Sequence, residues 1–189
     1  MKTLIPSLLL AALCLTAQAQ PAHDPQAQIR AQREAMLPLA KLDGAWRGSA
    51  WTLLRDGSRQ DLVQTERVGS FLDGSVKVIE GRGYEADGRI GFNALGVISY
   101  DPATKAYTLQ SNALGRSGNF PLSVTANGFI WSIPAGAVTI RYTAVIEGDS
   151  WVETGEVLIS GREPIKNYEM RLKRIGSTDW PGAGAVPMR

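Results

Sequence analysis

Leu42-Asp43-Gly44-Ala45-Trp46-Arg47-Gly48-Ser49-Ala50-Trp51 marks the turning point of the chain. Before it lies a weakly helical segment. After it, strand-like runs and tight turns alternate almost without a break as far as Ile175. Asp56-Gly57, Asp73-Gly74, Asp87-Gly88, Asp101-Pro102, Asn127-Gly128 and Gly148-Asp149 are dipeptides that favour tight turns. Between them, apolar residues recur with period two. Ile90, Phe92, Ala94 and Ile98 share one face, Phe129, Trp131 and Ile133 another, and Val138, Ile140, Tyr142, Ala144 and Ile146 a third. Such alternation means strands with one face inward. About ten runs follow one another at the spacing expected of a sandwich or barrel. No helical pattern interrupts them, so the connections are hairpins and the sheet is an antiparallel meander. An open ten-stranded meander would leave two edges exposed, and closure removes both. Gly81, Gly83, Gly91, Gly96, Gly115, Gly118 and Gly155 fall in or beside strands, where glycine permits bulges and sharp coiling. The expected fold is therefore all-β: an antiparallel up-and-down barrel of about ten strands over residues 44–175, preferred over a sandwich, with a short N-terminal helix.

That helix is expected within residues 20–43. Asp24-Pro25 reads as an N-cap followed by proline at the first helical position. Ile29, Arg33, Met36, Leu37 and Ala40 follow at three- and four-residue spacings, and Pro38 should kink or end the helix. Its expected role is to cover one open end of the barrel. Residues 1–19 read as a signal peptide: Met1-Lys2-Thr3, an apolar run from Leu4 to Leu15, and Ala17-Gln18-Ala19 before a cleavage site near Ala19. The run is short for a membrane span, and Leu13 before Cys14 does not suit a lipobox. The expected location is periplasmic or secreted, without a stable membrane anchor. The single cysteine leaves with the signal, so packing alone must stabilise the mature chain. Residues 176–189 are rich in Pro, Gly and Ala and read as a flexible tail with Trp180 as its one anchor.

The formal net charge is only +2 and both signs are scattered, so no basic stripe exists for nucleic acid. A metal site has little to build on, with no remaining cysteine, one histidine and no Asp-rich loop. Gly81-Arg82-Gly83 is not followed by a helix and reads as a strand bulge, not a phosphate cradle.

Gly44-Ala45-Trp46, at the end of a short helix and the start of the first strand, resembles the Gly-x-Trp entrance of the calycin superfamily of lipocalins, fatty-acid-binding proteins and nitrobindins. The layout also resembles a group of exported bacterial calycin-like domains of unknown function. Tyr100-Asp101-Pro102 and Trp151-Val152-Glu153-Thr154-Gly155-Glu156 carry that likeness, which spans about residues 37–175. The resemblance implies that Gly44 and Trp46 close the barrel floor beneath a late-strand arginine, Arg171 or Arg174, of which Arg171 is the working choice. Nitrobindin-like barrels hold haem through a late-strand histidine. Here the one histidine, His23, precedes the predicted helix, so no haem and no other cofactor is expected.

Polar residues in half-buried runs are the candidate site. Glu80 and Arg82 share a parity with Val76 and Val78, Glu153 with Trp151, and Glu169 with Arg171. Phe92, Tyr107 and Trp131 complete the candidate cavity wall, although plain core packing is the favoured reading of aromatics on alternating strands. Arg141 and Glu156 oppose the apolar parity and should face solvent. The leading functional expectation is a monomeric or homodimeric barrel that binds a small, largely apolar or amphipathic ligand. Arg82 would anchor it, with Glu80, Glu153 and Glu169 balancing the charge. The alternatives are a protein- or envelope-interacting barrel with a packed interior and, less favoured, a carboxylate-based isomerase or lyase using Glu80 or Glu153 as base.

Overall fold

The computed structural model describes residues 24–182 and 188. The expected signal peptide, its cleavage site near Ala19, Cys14 and His23 lie outside the described residues. Helix α1 spans Pro25–Met36, and a 3-10 turn over Leu37–Leu42 follows it. Asp24 caps α1 by accepting hydrogen bonds from the Gln26 and Ala27 amides at 2.9 and 3.1 Å, and Pro25 occupies the first turn. The α-helix gives way at Leu37, one residue before Pro38, as the lost N–H and the crowding of the proline ring require.

Ten strands follow: β1 (Gly44–Leu53), β2 (Arg59–Phe71), β3 (Val76–Tyr84), β4 (Ile90–Asp101), β5 (Ala106–Ala113), β6 (Arg116–Thr125), β7 (Gly128–Ala135), β8 (Val138–Glu147), β9 (Ser150–Ile159) and β10 (Ile165–Gly176). Each pairs antiparallel with its chain neighbours, and β1 pairs with β10 to close the barrel. The predicted up-and-down barrel is the observed one.

One end of the barrel is plugged. Leu39 and Leu42 from the 3-10 turn are completely buried against Trp46, Val68 and Ile98. Tyr107 donates its hydroxyl to the Ala35 carbonyl at 2.7 Å, and Lys41 donates to the Ala126 carbonyl at 2.7 Å, tying the plug to the rim. Tyr107 thus anchors the helix and packs on Tyr100 at 4.8 Å. It does not reach the cavity, contrary to the expectation, because its position at the start of β5 places it under α1.

The Gly-x-Trp start has a geometric reason. A bulge between Ala45 and Trp46 brings Trp46 opposite Arg174 of β10. The Arg174 guanidinium lies 4.1 Å from the Trp46 ring centroid. It also donates to the Asp43 carbonyl, to the Lys41 carbonyl at 2.7 Å and to Asp149 Oδ1 at 3.0 Å. The Trp46 indole donates to the Leu42 carbonyl at 2.8 Å. Gly44, at φ +142, leaves room for this guanidinium, because a Cβ there would sit 2.6 Å from Arg174 Nη1. The closing cation is therefore Arg174. Arg171 falls on the opposite parity of β10, faces outward and pairs with Glu169 at 2.8 Å. A second buried polar group seals the same end: Lys77, 1% exposed, donates to Asp43 and Ser70, both at 2.6 Å.

Beyond β10, Trp180 docks on the outside of β2. Its ring packs edge-on to Phe71 at 5.9 Å, beneath the Arg67 guanidinium at 5.5 Å. Gly69 makes the seat, since a Cβ there would lie 2.7 Å from Trp180 Cβ. The Trp180 anchor read from sequence is thus seated on β2.

Candidate functional site

Inward residues differ sharply from one side of the barrel to the other. Along the hydrogen-bonding direction, Glu66 of β2 faces Gly81, which faces Ala94, which faces Ala113. This wall is nearly free of side-chain volume. On the other side, Trp131, Tyr142, Gly155 and Tyr168 follow one another across β7, β8, β9 and β10. Gly155 lets the two tyrosines meet over it: a Cβ there would lie 2.8 Å from Tyr168 Cβ and 3.0 Å from Tyr142 Cε1. Trp131 and Tyr142 stack at 4.2 Å with 10° between planes, and Tyr168 stands edge-on to Tyr142 at 5.7 Å. An aromatic wall opposite a wall of glycine and alanine cannot fill the barrel. A cavity of about 840 Å³ results, within the usual range for small-molecule sites. It opens at the end opposite the plug, past Leu54, Arg55, Leu114 and Arg116. Leu54 and Leu114 at this mouth are exposed.

Two carboxyls sit deep in the cavity. Glu66 and Glu153 are only 8% and 7% exposed. Gln64 Nε2 donates to Glu66 Oε1 at 2.7 Å, and Trp131 Nε1 donates to Glu153 Oε1 at 3.0 Å. Gly81 gives the Glu66 carboxyl its room, since a Cβ there would lie 2.7 and 2.8 Å from its two oxygens. Neither carboxyl belongs to an ion pair among the described residues. Burial, opposed by the Gln64 hydrogen bond and reinforced by the charges of Glu153 and Glu80, raises the Glu66 pKa to about 8. Burial also raises Glu153 to about 7, against the pull of the Trp131 hydrogen bond. The Trp151 indole N–H acts on Glu153 in the same sense as Trp131, yet it reaches no acceptor in hydrogen-bond geometry. Burial, then the nearby Glu153, pushes Tyr142 up to about 12, and the same two causes push Tyr168 well above the ordinary tyrosine range. Both phenols stay neutral at physiological pH. Among the described residues no group of three or more His, Cys, Asp or Glu could hold a metal ion, and no helix is long and apolar enough to cross a membrane.

The chain aligns with Rv2717c from M. tuberculosis over 74% of its length and 96% of that protein, at 14% identity and a TM-score of 0.56. It also aligns with the S-type phycobiliprotein lyase CPES from Guillardia theta over 80% of its length and 94% of that chain, at 11% identity and a TM-score of 0.48. No family model and no curated protein matches the sequence. The fold is a lipocalin-like barrel.

Within this lipocalin-like barrel, three expected site residues line the cavity: Phe92, Trp131 and Glu153. Three others lie on the outside. Glu80 and Arg82 pair with each other at 2.6 Å across the outer face of β3. Glu169 is held by Arg171 at 2.8 Å and by Lys166 on the outer face of β10, and these partners lower its pKa to about 2. The parity argument failed on β3 because the inward set is Lys77, Ile79, Gly81 and Gly83. Glycines carry no hydrophobic signal, so Val76 and Val78 misleadingly marked the other face as inner. Arg141 and Glu156 pair at 2.7 Å outside, as their parity implied.

Glu66 was missed. It shares a parity with Leu62 and Val68, but Gln64 lies on the same face and Val63 on the other, so neither face of β2 reads as apolar. Tyr142 was legible only as one member of an apolar face, and Tyr168 not at all, because the expectation that Glu169 faces inward turned its neighbour outward. Nothing in the sequence places them on one wall with Trp131.

Proposed function

We propose that the protein is an exported binding barrel that takes a small ligand with a large apolar part into its interior. The observation that carries this reading is the hollow half of the barrel: about 840 Å³ open at one end, with aromatic rings on one wall and two buried carboxyls at depth. Apolar walls supply affinity, and a few convergent polar groups supply orientation. The mouth, flanked by exposed Leu54 and Leu114, suits the passage of an apolar molecule. The same hollow weighs against a packed interior serving only partner proteins. Export to the periplasm rests on Met1-Lys2-Thr3, the apolar run to Leu15 and Ala17-Gln18-Ala19.

Native mass spectrometry of protein purified from envelope extract tests the binding reading. A defined additional mass that leaves on activation supports it. Bare protein from several extracts, with no thermal stabilisation by any of them, would sink it. N-terminal sequencing of the periplasmic fraction tests export, and a mature chain beginning near Gln20 is expected.

A further inference from the structure

We propose that this cavity selects organic cations, namely ammonium groups on an apolar body, with the cationic nitrogen seated at the Glu66 and Glu153 carboxyls beside the rings of Trp131, Tyr142 and Tyr168. The proposal rests on the reading of the barrel as a container and names its class of contents.

Three observations point this way. First, each carboxyl accepts one hydrogen bond, at Oε1, while its second oxygen has no hydrogen-bond partner among the described residues. Second, no basic side chain of the barrel neutralises either carboxyl. Lys77, the one buried cation among the described residues, is held by Asp43 and Ser70 at the plugged end. Arg55 and Arg116 stand at the mouth. Third, the neighbouring cavity wall is built of tyrosine and tryptophan rings, the side chains that attract a desolvated cation most strongly.

An anionic ligand would place like charge against a buried carboxylate. A neutral ligand leaves both groups to be neutralised by protons instead. A cation lets them ionise and gains from the rings as well. Binding is therefore coupled to proton release. The carboxyls titrate near pH 7 and 8 in the free protein. The charged and titratable groups facing them are each other, Tyr142 from β8, Tyr168 from β10, and Glu80 through the barrel wall, with Arg55 and Arg116 at the mouth and Lys77 turned to Asp43 at the plugged end. The tyrosines stay neutral below pH 9.

Three probes of matched apolar length test this by calorimetry on the full mature chain: decyltrimethylammonium below its micelle concentration, 1-decanol and decanoate. The quaternary ammonium keeps its charge at every pH, so any pH dependence belongs to the protein. Decyltrimethylammonium should bind at least tenfold tighter than decanol at pH 8, and its affinity should rise by up to about tenfold per unit between pH 6 and 8 for each proton released. Decanol should gain no affinity as pH rises, and decanoate should be the weakest. Glu153→Gln and Glu66→Gln, each checked for native circular dichroism, should weaken the ammonium about tenfold, or about 1.4 kcal/mol, and leave decanol within threefold. If decanol binds while the ammonium shows no preference, no pH dependence and no response to either Gln variant, the selectivity proposal is wrong and the container reading stands. If none of the three binds, both are wrong.

Discussion

Replacing Glu66 with Gln should flatten the pH dependence of stability. In the folded chain the Glu66 pKa rises from 4.5 to about 8, chiefly by burial. At ~1.4 kcal/mol per unit this shift is worth up to about 5 kcal/mol, of which about 4 kcal/mol develops between pH 5 and pH 9. The direction is set by proton binding. The folded state holds the Glu66 proton in a range where the unfolded chain has released it. Stability from this group is therefore full below pH 4.5 and is lost as pH rises through 8. The Gln side chain keeps the volume beside Gly81 but has no anion to desolvate. Urea unfolding at one-unit steps from pH 5 to pH 9 measures the effect. The wild-type free energy should fall with pH more steeply than that of Glu66→Gln, the two separating by up to about 4 kcal/mol, with the variant the more stable at pH 9. Groups that titrate independently of Glu66 act in both proteins and cancel in the difference, whereas Glu153, whose charge adds to the Glu66 shift, is coupled to it and stays within the measured difference. Parallel curves would show that Glu66 ionises freely inside the barrel, and the argument from burial would fail.

Further outcomes follow from the plugged end and the outer wall. Arg174→Gln should destabilise by about 1–3 kcal/mol, because the Asp43 and Lys41 carbonyls lose their charged donor; Arg171→Gln, on the outer face, should cost under about 1 kcal/mol by the same denaturant titration. Leu39→Ala should cost about 2–5 kcal/mol, since the side chain is wholly buried in the plug. Gly69→Val should displace Trp180, seen as increased acrylamide quenching of tryptophan fluorescence, while probe binding inside the barrel stays unchanged.

The architecture was legible because it is written in local chemistry. Turn dipeptides such as Asp56-Gly57 and Asp87-Gly88 end strands by their own backbone preferences, and period-two runs such as Phe129 to Ile133 declare a buried face unaided. Asp24-Pro25 likewise starts its helix through contacts within one turn. The site was half legible. Glu153 and Trp131 stood out as a carboxyl and an aromatic on inward faces, and the structure joins them by a 3.0 Å hydrogen bond. Glu66 did not, because polar residues fall on both faces of β2.

What the sequence by itself determined, then, is strand number, strand order and the helix that covers one end, for these depend on neighbours a few residues apart, while the tryptophan at the floor was implied by the resemblance of Gly44-Ala45-Trp46 to calycin entrances. Only the tertiary structure decided which arginine closes that floor, which of two faces of β3 and β10 looks inward, and that the barrel is hollow. The bulge at Ala45 and Trp46 selects Arg174 over Arg171 by register with a strand more than a hundred residues away. The hollow arises because Gly81, Ala94 and Ala113 on three strands line up opposite Trp131, Tyr142 and Tyr168 on three others. A cavity is a deficit of volume summed across the whole ring of strands, and no single stretch of chain carries that sum.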